Sequence, residues 1–162
     1  MSIDINHREA LGFWLNRLNL FGSLEMAEIG CAHGGFAKTV LRQWTGERYW
    51  MIDPWAVQDK EVYKENQPTQ EQYDQQFAEC EELSKRDDRV RIIRDTSTEA
   101  AKQFKTSQLV CVYIDANHSY RSAMEDMDTP NVAEIRLGIV HNDGRFSANE
   151  FAKPHAVFRW AQ

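Results

Sequence analysis

Apolar positions along the chain alternate between two periods, and that alternation is the strongest signal in the sequence. From His7 to Leu20, Leu11, Trp14, Leu15 and Leu18 recur on one helical face. Leu24 to Ile29 suits a strand that ends at Gly30. Helical spacing returns from Phe36 to Trp44 through Val40, Leu41 and Trp44. Tyr49 to Ile52 reads as a second strand, closed by Asp53-Pro54. The polar stretch Ala56 to Pro68 reads as a loop or insertion. Thr69 with Gln72 then makes a capping box for a helix whose apolar side is Tyr73, Phe77, Cys80 and Leu83. Arg89 to Arg94 predicts a third strand, and Thr96 with Glu99 a capped helix carrying Ala100, Ala101 and Phe104. Leu109 to Ile114 is apolar or aromatic throughout, as expected of a strand covered on both faces. Tyr120, Ala123, Met124 and Met127 form a helical stripe; Ile135 to Val140 predicts a fifth strand and Phe151 to Trp160 a last helix.

Five strand–helix units behind a leading helix predict one α/β domain over residues 1–162. Right-handed crossovers make it a three-layer sandwich around a mainly parallel sheet of about five strands. In such sheets ligands bind at the carboxyl ends of the strands, so the chemistry lies in the residues just past each strand. After the first come Glu28-Ile-Gly30-Cys-Ala-His33-Gly34-Gly35. Glycines there let a ligand approach the backbone closely, although any tight strand–helix turn also uses them. After the second comes Asp53, placed to accept two bonds from a ribose diol, or else a solvated acid before a proline. After the third come Asp95 and Thr96; the acid can reach an adenine amino group or simply cap the next helix. After the fourth come Asp115-Ala-Asn117-His118, and after the fifth His141-Asn142-Asp143. Asp115, Asn142 and Asp143 form an oxygen-ligand set suited to Mg²⁺, or a group of polar loop residues holding no ion.

Composition narrows the partners. The formal charge of −6 disfavours a general grip on a phosphate backbone, so no nucleic acid is expected. No apolar run approaches the ~18–20 residues of a membrane span, and Met1 to Glu9 does not read as a signal peptide. Cys31, Cys80 and Cys111 are odd in number and lack a zinc spacing. They read as buried thiols of a reducing compartment, and with the missing signal they point to a cytoplasmic protein.

The phrases Glu28-Ile-Gly30-Cys-Ala-His-Gly34, Asp53-Pro-Trp55, Asp95-Thr-Ser-Thr and Tyr113-Ile-Asp115-Ala-Asn-His118-Ser-Tyr120 resemble class I S-adenosylmethionine-dependent methyltransferases. Most similar is the small-molecule O-methyltransferase branch with the macrolide-sugar and cephalosporin-type enzymes, over about Ala27 to Asp143. The resemblance implies a Rossmann-like fold and S-adenosylmethionine as cofactor. It puts Glu28, Gly30, His33 and Gly34 in the first cofactor motif, Asp53 at the ribose, and Asp95 with Thr96 at the adenine. Trp55 can lie against the adenine, with Ala56 to Pro68 as a lid, while the other tryptophans are expected to pack the core. The resemblance implies that Asp115 borders the cofactor and is a metal ligand, with the second ligand set after the fifth strand. Mg²⁺ at Asp115, Asn142 and Asp143 could bind a small-molecule acceptor hydroxyl whose proton His118 or His141 could take. Each histidine alone reads equally as a loop residue bonded to backbone.

The sequence departs from that branch after the fourth strand. The connection to the fifth is short, and at His141-Asn142-Asp143 either Asn142 replaces the acid usual there or the register slips by one. The antiparallel C-terminal hairpin is expected to be missing, leaving the fifth strand as an exposed edge. A second copy of the chain pairing through that edge, or the aromatic tail folding over it, would cover it. The alternative reading is a catalytically impaired cofactor-binding or structural protein that pairs through the edge. An NAD-dependent enzyme is a third reading, disfavoured because G-x-G-x-x-G is absent.

Overall fold

The computed structural model describes residues 11–18, 25–59, 66–105, 108–115, 137–140 and 156–159. In chain order these form α1 (Leu11–Leu18), β1 (Glu25–Ile29), α2 (Gly35–Leu41), β2 (Arg48–Ile52), α3 (Gln70–Arg86), β3 (Val90–Ile93), α4 (Ser97–Ala101), β4 (Leu109–Ile114), β5 (Leu137–Val140) and β6 (Ala156–Arg159). The strands make one sheet in the order β3-β2-β1-β4-β5-β6, and each neighbouring pair is parallel. The chain has a Rossmann-like α/β fold.

Side-chain alternation sorts the strands into two cores. Met26, Tyr49, Met51, Val90, Cys111 and Tyr113 pack with Leu11, Leu15, Phe36, Val40 and Trp44 of the α1 and α2 segments and with Cys80 of α3. Ala27, Ile29, Ile52, Ile93, Val112 and Ile114 face the opposite side, under Ala100 and Phe104 of the α4 segment. The β1–β4 register shifts once, from Glu25↔Leu109 to Met26↔Cys111. The residue skipped, Val110, joins the same core as Cys111. That is the mark of a bulge, which breaks alternation for one residue. All six residues of β4 are buried, as its unbroken apolar run predicts.

Helix starts follow the capping signals. Thr69 Oγ1 accepts from Gln72 N (3.3 Å) while Gln72 Oε1 accepts from Thr69 N (2.8 Å), the full reciprocal box. At α4, Thr96 Oγ1 accepts from Glu99 N, but the Glu99 carboxylate is drawn instead to Lys102 Nζ. The C-terminal end of α2 is closed from a distance. Arg89, paired with Asp87, donates to the carbonyls of Leu41 and Trp44.

The tail corrects an expectation. Residues predicted as a final helix, Phe151 to Trp160, include β6, which pairs with β5 from Leu137↔Ala156 to Val140↔Arg159. Val157 and Phe158 are β-branched and aromatic, so pairing competes well with an isolated amphipathic turn. The sheet therefore has six strands, and the edge expected to be exposed on β5 is taken by β6. No antiparallel strand occurs among the described residues. The helical stripe of Tyr120 to Met127 lies outside the described residues, as do His118, His141, Asn142 and Asp143. Among the described residues no helix is long and apolar enough to cross a membrane.

At the amino end of the sheet, Glu25 is buried and its carboxylate gathers three donors. Arg48 Nη1 (2.8 Å) and Trp50 Nε1 (2.8 Å) come from β2, and Gln108 Nε2 (2.9 Å) comes from the residue before β4. Burial pushes this carboxyl up, but the three donors outweigh it and hold the group below its ordinary 4.5. A lowered carboxyl adds stability above its unfolded value and loses it as pH falls through the native value. Glu25→Gln should cost about 1–3 kcal/mol at pH 7, because the new amide meets donors with a donor. Urea unfolding at pH 7 and pH 3 checks this: the gap from the parent chain should narrow at the acid end.

Candidate cofactor site at the carboxyl edge of the sheet

Strand register lines up the residues that leave the sheet. Ile29 pairs with Ile52 and with Ile114, and Ile52 with Ile93. The next residue of each strand, Gly30, Asp53, Arg94 and Asp115, therefore falls in one row. Backbone bonds carry the ladder a step further: Gly30 N donates to Ile52 O (2.9 Å), Asp53 N to Ile93 O (3.3 Å) and Asp115 N to Ile29 O (2.9 Å). At ~4.8 Å per strand the row from Asp115 to Arg94 spans about 15 Å. Gly30, Asp53 and Asp115 are half-buried.

The loop between β1 and α2 turns sharply off the sheet. Gly30 has φ 86° and Gly34, the N-cap of α2, φ 68°, conformations open to glycine at no steric cost. Ala32 between them has φ 44°, and Trp55 after β2 has φ 41°. These are the two non-glycine residues with positive φ among the described residues. Such backbone costs of order 1–3 kcal/mol per residue and persists only where surrounding bonds enforce it.

Asp53 provides those bonds. Its Oδ2 accepts from Ala32 N (3.1 Å) and its Oδ1 from Trp55 N (2.8 Å). Burial pushes the Asp53 carboxyl above its ordinary 3.8, against the pull of backbone N–H groups from Trp55, Ala32 and Cys31. The native chain thus binds this proton more tightly than the unfolded one. Ionising Asp53 costs stability, a cost absent below 3.8 and complete only above the raised native value.

The other expected site residues fall into three groups. Asp95 Oδ1 accepts from the N–H of Thr96, and Thr96 caps α4, so both sit at the β3 exit. Glu28 and Trp55 lie inside the core. The Glu28 carboxylate, 2% exposed, accepts from Tyr49 Oη (2.7 Å). The Trp55 indole, 0% exposed, lies 5.2 Å from the Phe77 ring and donates from Nε1 to Ala32 O (2.9 Å). Burial, then the Glu28 charge, pushes the Tyr49 hydroxyl far up, so it stays a donor to that carboxylate. His33 points outward from the loop, with Nδ1 3.2 Å from Glu79 Oε1 and Nε2 3.4 Å from Gln76 Nε2 on α3.

Of the expected Mg²⁺ set, Asp115 alone is among the described residues, and those residues hold no group of three potential metal ligands. The three thiols are free and buried. Burial, the largest cause, pushes Cys80 up to about 12 and Cys31 well above its ordinary value, so neither is a thiolate near neutral pH.

Two residues of this region were not legible in the sequence. Arg94 reads there as the end of a strand and Gln70 as the first residue of a helix, yet both donate to the Trp55 carbonyl. No pattern in the sequence signals the left-handed turn at Ala32, since alanine is neutral to every motif that would mark one.

A family model described as "Methyltransferase domain" matches residues 27–147, from β1 through the row and past β5. No curated protein matches the chain. Among solved structures it is similar to the N-methyltransferase NodS from Bradyrhizobium japonicum WM9, at 17% identity and a TM-score of 0.45. That alignment covers 82% of this chain and 65% of the other, so the chain spans less than two thirds of the length of NodS.

The two glycines at the start of α2 should respond oppositely to alanine. A Cβ on Gly34 would lie 3.0 Å from Met51 Cε and 3.3 Å from Cys80 Sγ, at a φ of +68°. A Cβ on Gly35 meets nothing within 4 Å. Gly34→Ala is expected to cost about 1–3 kcal/mol, and Gly35→Ala to gain a few tenths. Equilibrium urea unfolding of both variants measures the difference.

Proposed function

The chain belongs to the methyltransferase-domain family, and on that premise we propose that it binds S-adenosylmethionine along the carboxyl row and methylates an oxygen of a small acceptor. The observation that carries the cofactor part is Asp53, a half-buried carboxylate beside the turned Gly30 loop. The backbone N–H groups it accepts leave part of its roughly four-site acceptor capacity for a diol. Asp115 stands in the same row, and Asp95 follows Arg94, the row's residue after β3, whose guanidinium is paired with Asp74; carboxylates so placed suit a ligand that carries hydroxyls and a cationic sulfonium.

When bound, the cofactor supplies an already activated methyl group, so the task of the protein is to hold and align. Asp53 holds the ribose hydroxyls. Gly30, without a Cβ, lets the ligand approach the backbone, and Asp95 with Thr96 borders the adenine. Asp115 faces the sulfonium side of the row, where a divalent ion shared with Asn142 and Asp143 would also be held. His118 or His141 takes the acceptor proton, since imidazole titrates near neutrality. Glu28 and Trp55 support this arrangement from inside the core rather than by touching the ligand.

Calorimetry with S-adenosylhomocysteine tests the cofactor reading. Micromolar binding is expected, and no heat at millimolar ligand would overturn it. Asp53→Asn should weaken binding about 10- to 100-fold, the worth of charge-assisted bonds to a diol. Affinity should also fall as pH drops through the raised Asp53 value, because the protonated acid accepts less strongly.

A further inference from the structure

Asp53 is held by a residue that is itself held. Trp55 makes contacts in four directions. Its N–H donates to Asp53 Oδ1 (2.8 Å) and its indole N–H to Ala32 O (2.9 Å). Its ring packs against Phe77 of α3. Its carbonyl accepts from Gln70 Nε2 (3.1 Å) at the start of α3 and from Arg94 Nη2 (3.1 Å) at the exit of β3. Arg94 is fixed in turn by Asp74 Oδ1 (2.8 Å) and by the Phe77 ring, 4.4 Å below its guanidinium.

The two strained residues of the described chain are therefore bonded to each other, and each donates its N–H to one oxygen of the same carboxylate. Left alone, a tryptophan at φ 41° would relax toward ordinary backbone and carry its N–H away from Asp53. The donors from Gln70 and Arg94 oppose that relaxation by holding the carbonyl on the far side of the same residue.

We propose that Arg94 and Trp55 are positioning residues for the cofactor ribose: they lock the Trp55 turn so that the Asp53 carboxylate presents its free acceptor capacity to a diol. This deepens the cofactor reading and rests on it. Asp53 is the group that touches the ligand; Arg94 and Trp55 act through it. The consequence is selectivity for a ribose diol, not merely affinity.

The test uses the full chain and two probes, S-adenosylhomocysteine and its 2′,3′-dideoxy analogue, with dissociation constants from calorimetry. The parent chain is expected to prefer the diol at least 10-fold. Asp53→Asn should remove most of that preference. Arg94→Gln, at a half-exposed side chain that leaves the core intact, should cut the preference about 3- to 10-fold. Arg94→Lys should restore part of it. Trp55→Phe, which keeps a ring on Phe77 but loses the indole N–H and leaves a cavity in the core, should act in the same direction. In the Asp53→Asn background Arg94→Gln should have almost no further effect on the preference, since both act on one contact. Equal weakening of both probes by Arg94→Gln, or no change in either, would overturn the positioning role while leaving the cofactor reading intact. Binding without diol preference in the parent chain would overturn it too. No binding of either probe would remove both readings. Trp55→Phe is the variant most exposed to misfolding, and Arg94→Gln decides the matter without it.

Discussion

A single carboxylate joins the two loops that leave the centre of the sheet. Asp53 stands at the end of β2 and receives N–H groups from the β1 loop and from its own loop, one on each oxygen. The N–H groups of Ala32 and Trp55 belong to residues whose backbone is strained, and that of Cys31 adds to their pull. Without the acceptor between them, Ala32 and Trp55 would each lose one of the bonds that hold them in left-handed conformations. The carboxylate in turn tolerates partial burial because the N–H dipoles replace part of its lost hydration. Charge, strain and burial are thus mutually dependent at this point, and the shape of the carboxyl edge results from them.

The two ends of the sheet satisfy their acids in different ways. At the amino end Glu25 is surrounded by side-chain donors from β2 and from the residue before β4, and its carboxyl is pulled down. At the carboxyl end Asp53 is surrounded by backbone donors and its carboxyl is pushed up. The first arrangement fastens strands together and leaves little capacity over. The second leaves a carboxylate whose ionisation is costly. The two groups are both shielded from water, yet their carboxyls move in opposite directions: side-chain donors outweigh burial at one end, and burial outweighs backbone donors at the other.

Much of this was legible in the sequence, for identifiable reasons. β4 could be read because burial on both faces demands an unbroken apolar run, and α3 because its capping box needs two particular side chains three residues apart. Asp53, Asp95 and Asp115 could be placed at one edge because parallel strands all end on the same side. β6 was misread as part of a helix: over four residues, Ala156 to Arg159, the helical and extended periods cannot be told apart, and the strand exists only because β5 offers it an edge. The inward placement of Trp55 was equally hidden. Its position after Asp53-Pro54 suggests a ring free to lie against the adenine, whereas a positive φ accompanies an indole in the core beside Phe77. Backbone conformation at a non-glycine residue leaves no trace in a list of side chains.

The grip of Asp53 on the β1 loop is made through main-chain N–H groups, which every residue except proline possesses. Side chains at Ala32 and His33 are exposed and take no part in that contact. The loop can therefore change its lettering, within the limits that a left-handed turn sets, without moving the Asp53 oxygen. Sequence drift and geometric drift are uncoupled there. Two chains can look unrelated across this turn and still present the same acceptor at the same place, while a lone proline at position 32 would separate two chains that look nearly identical.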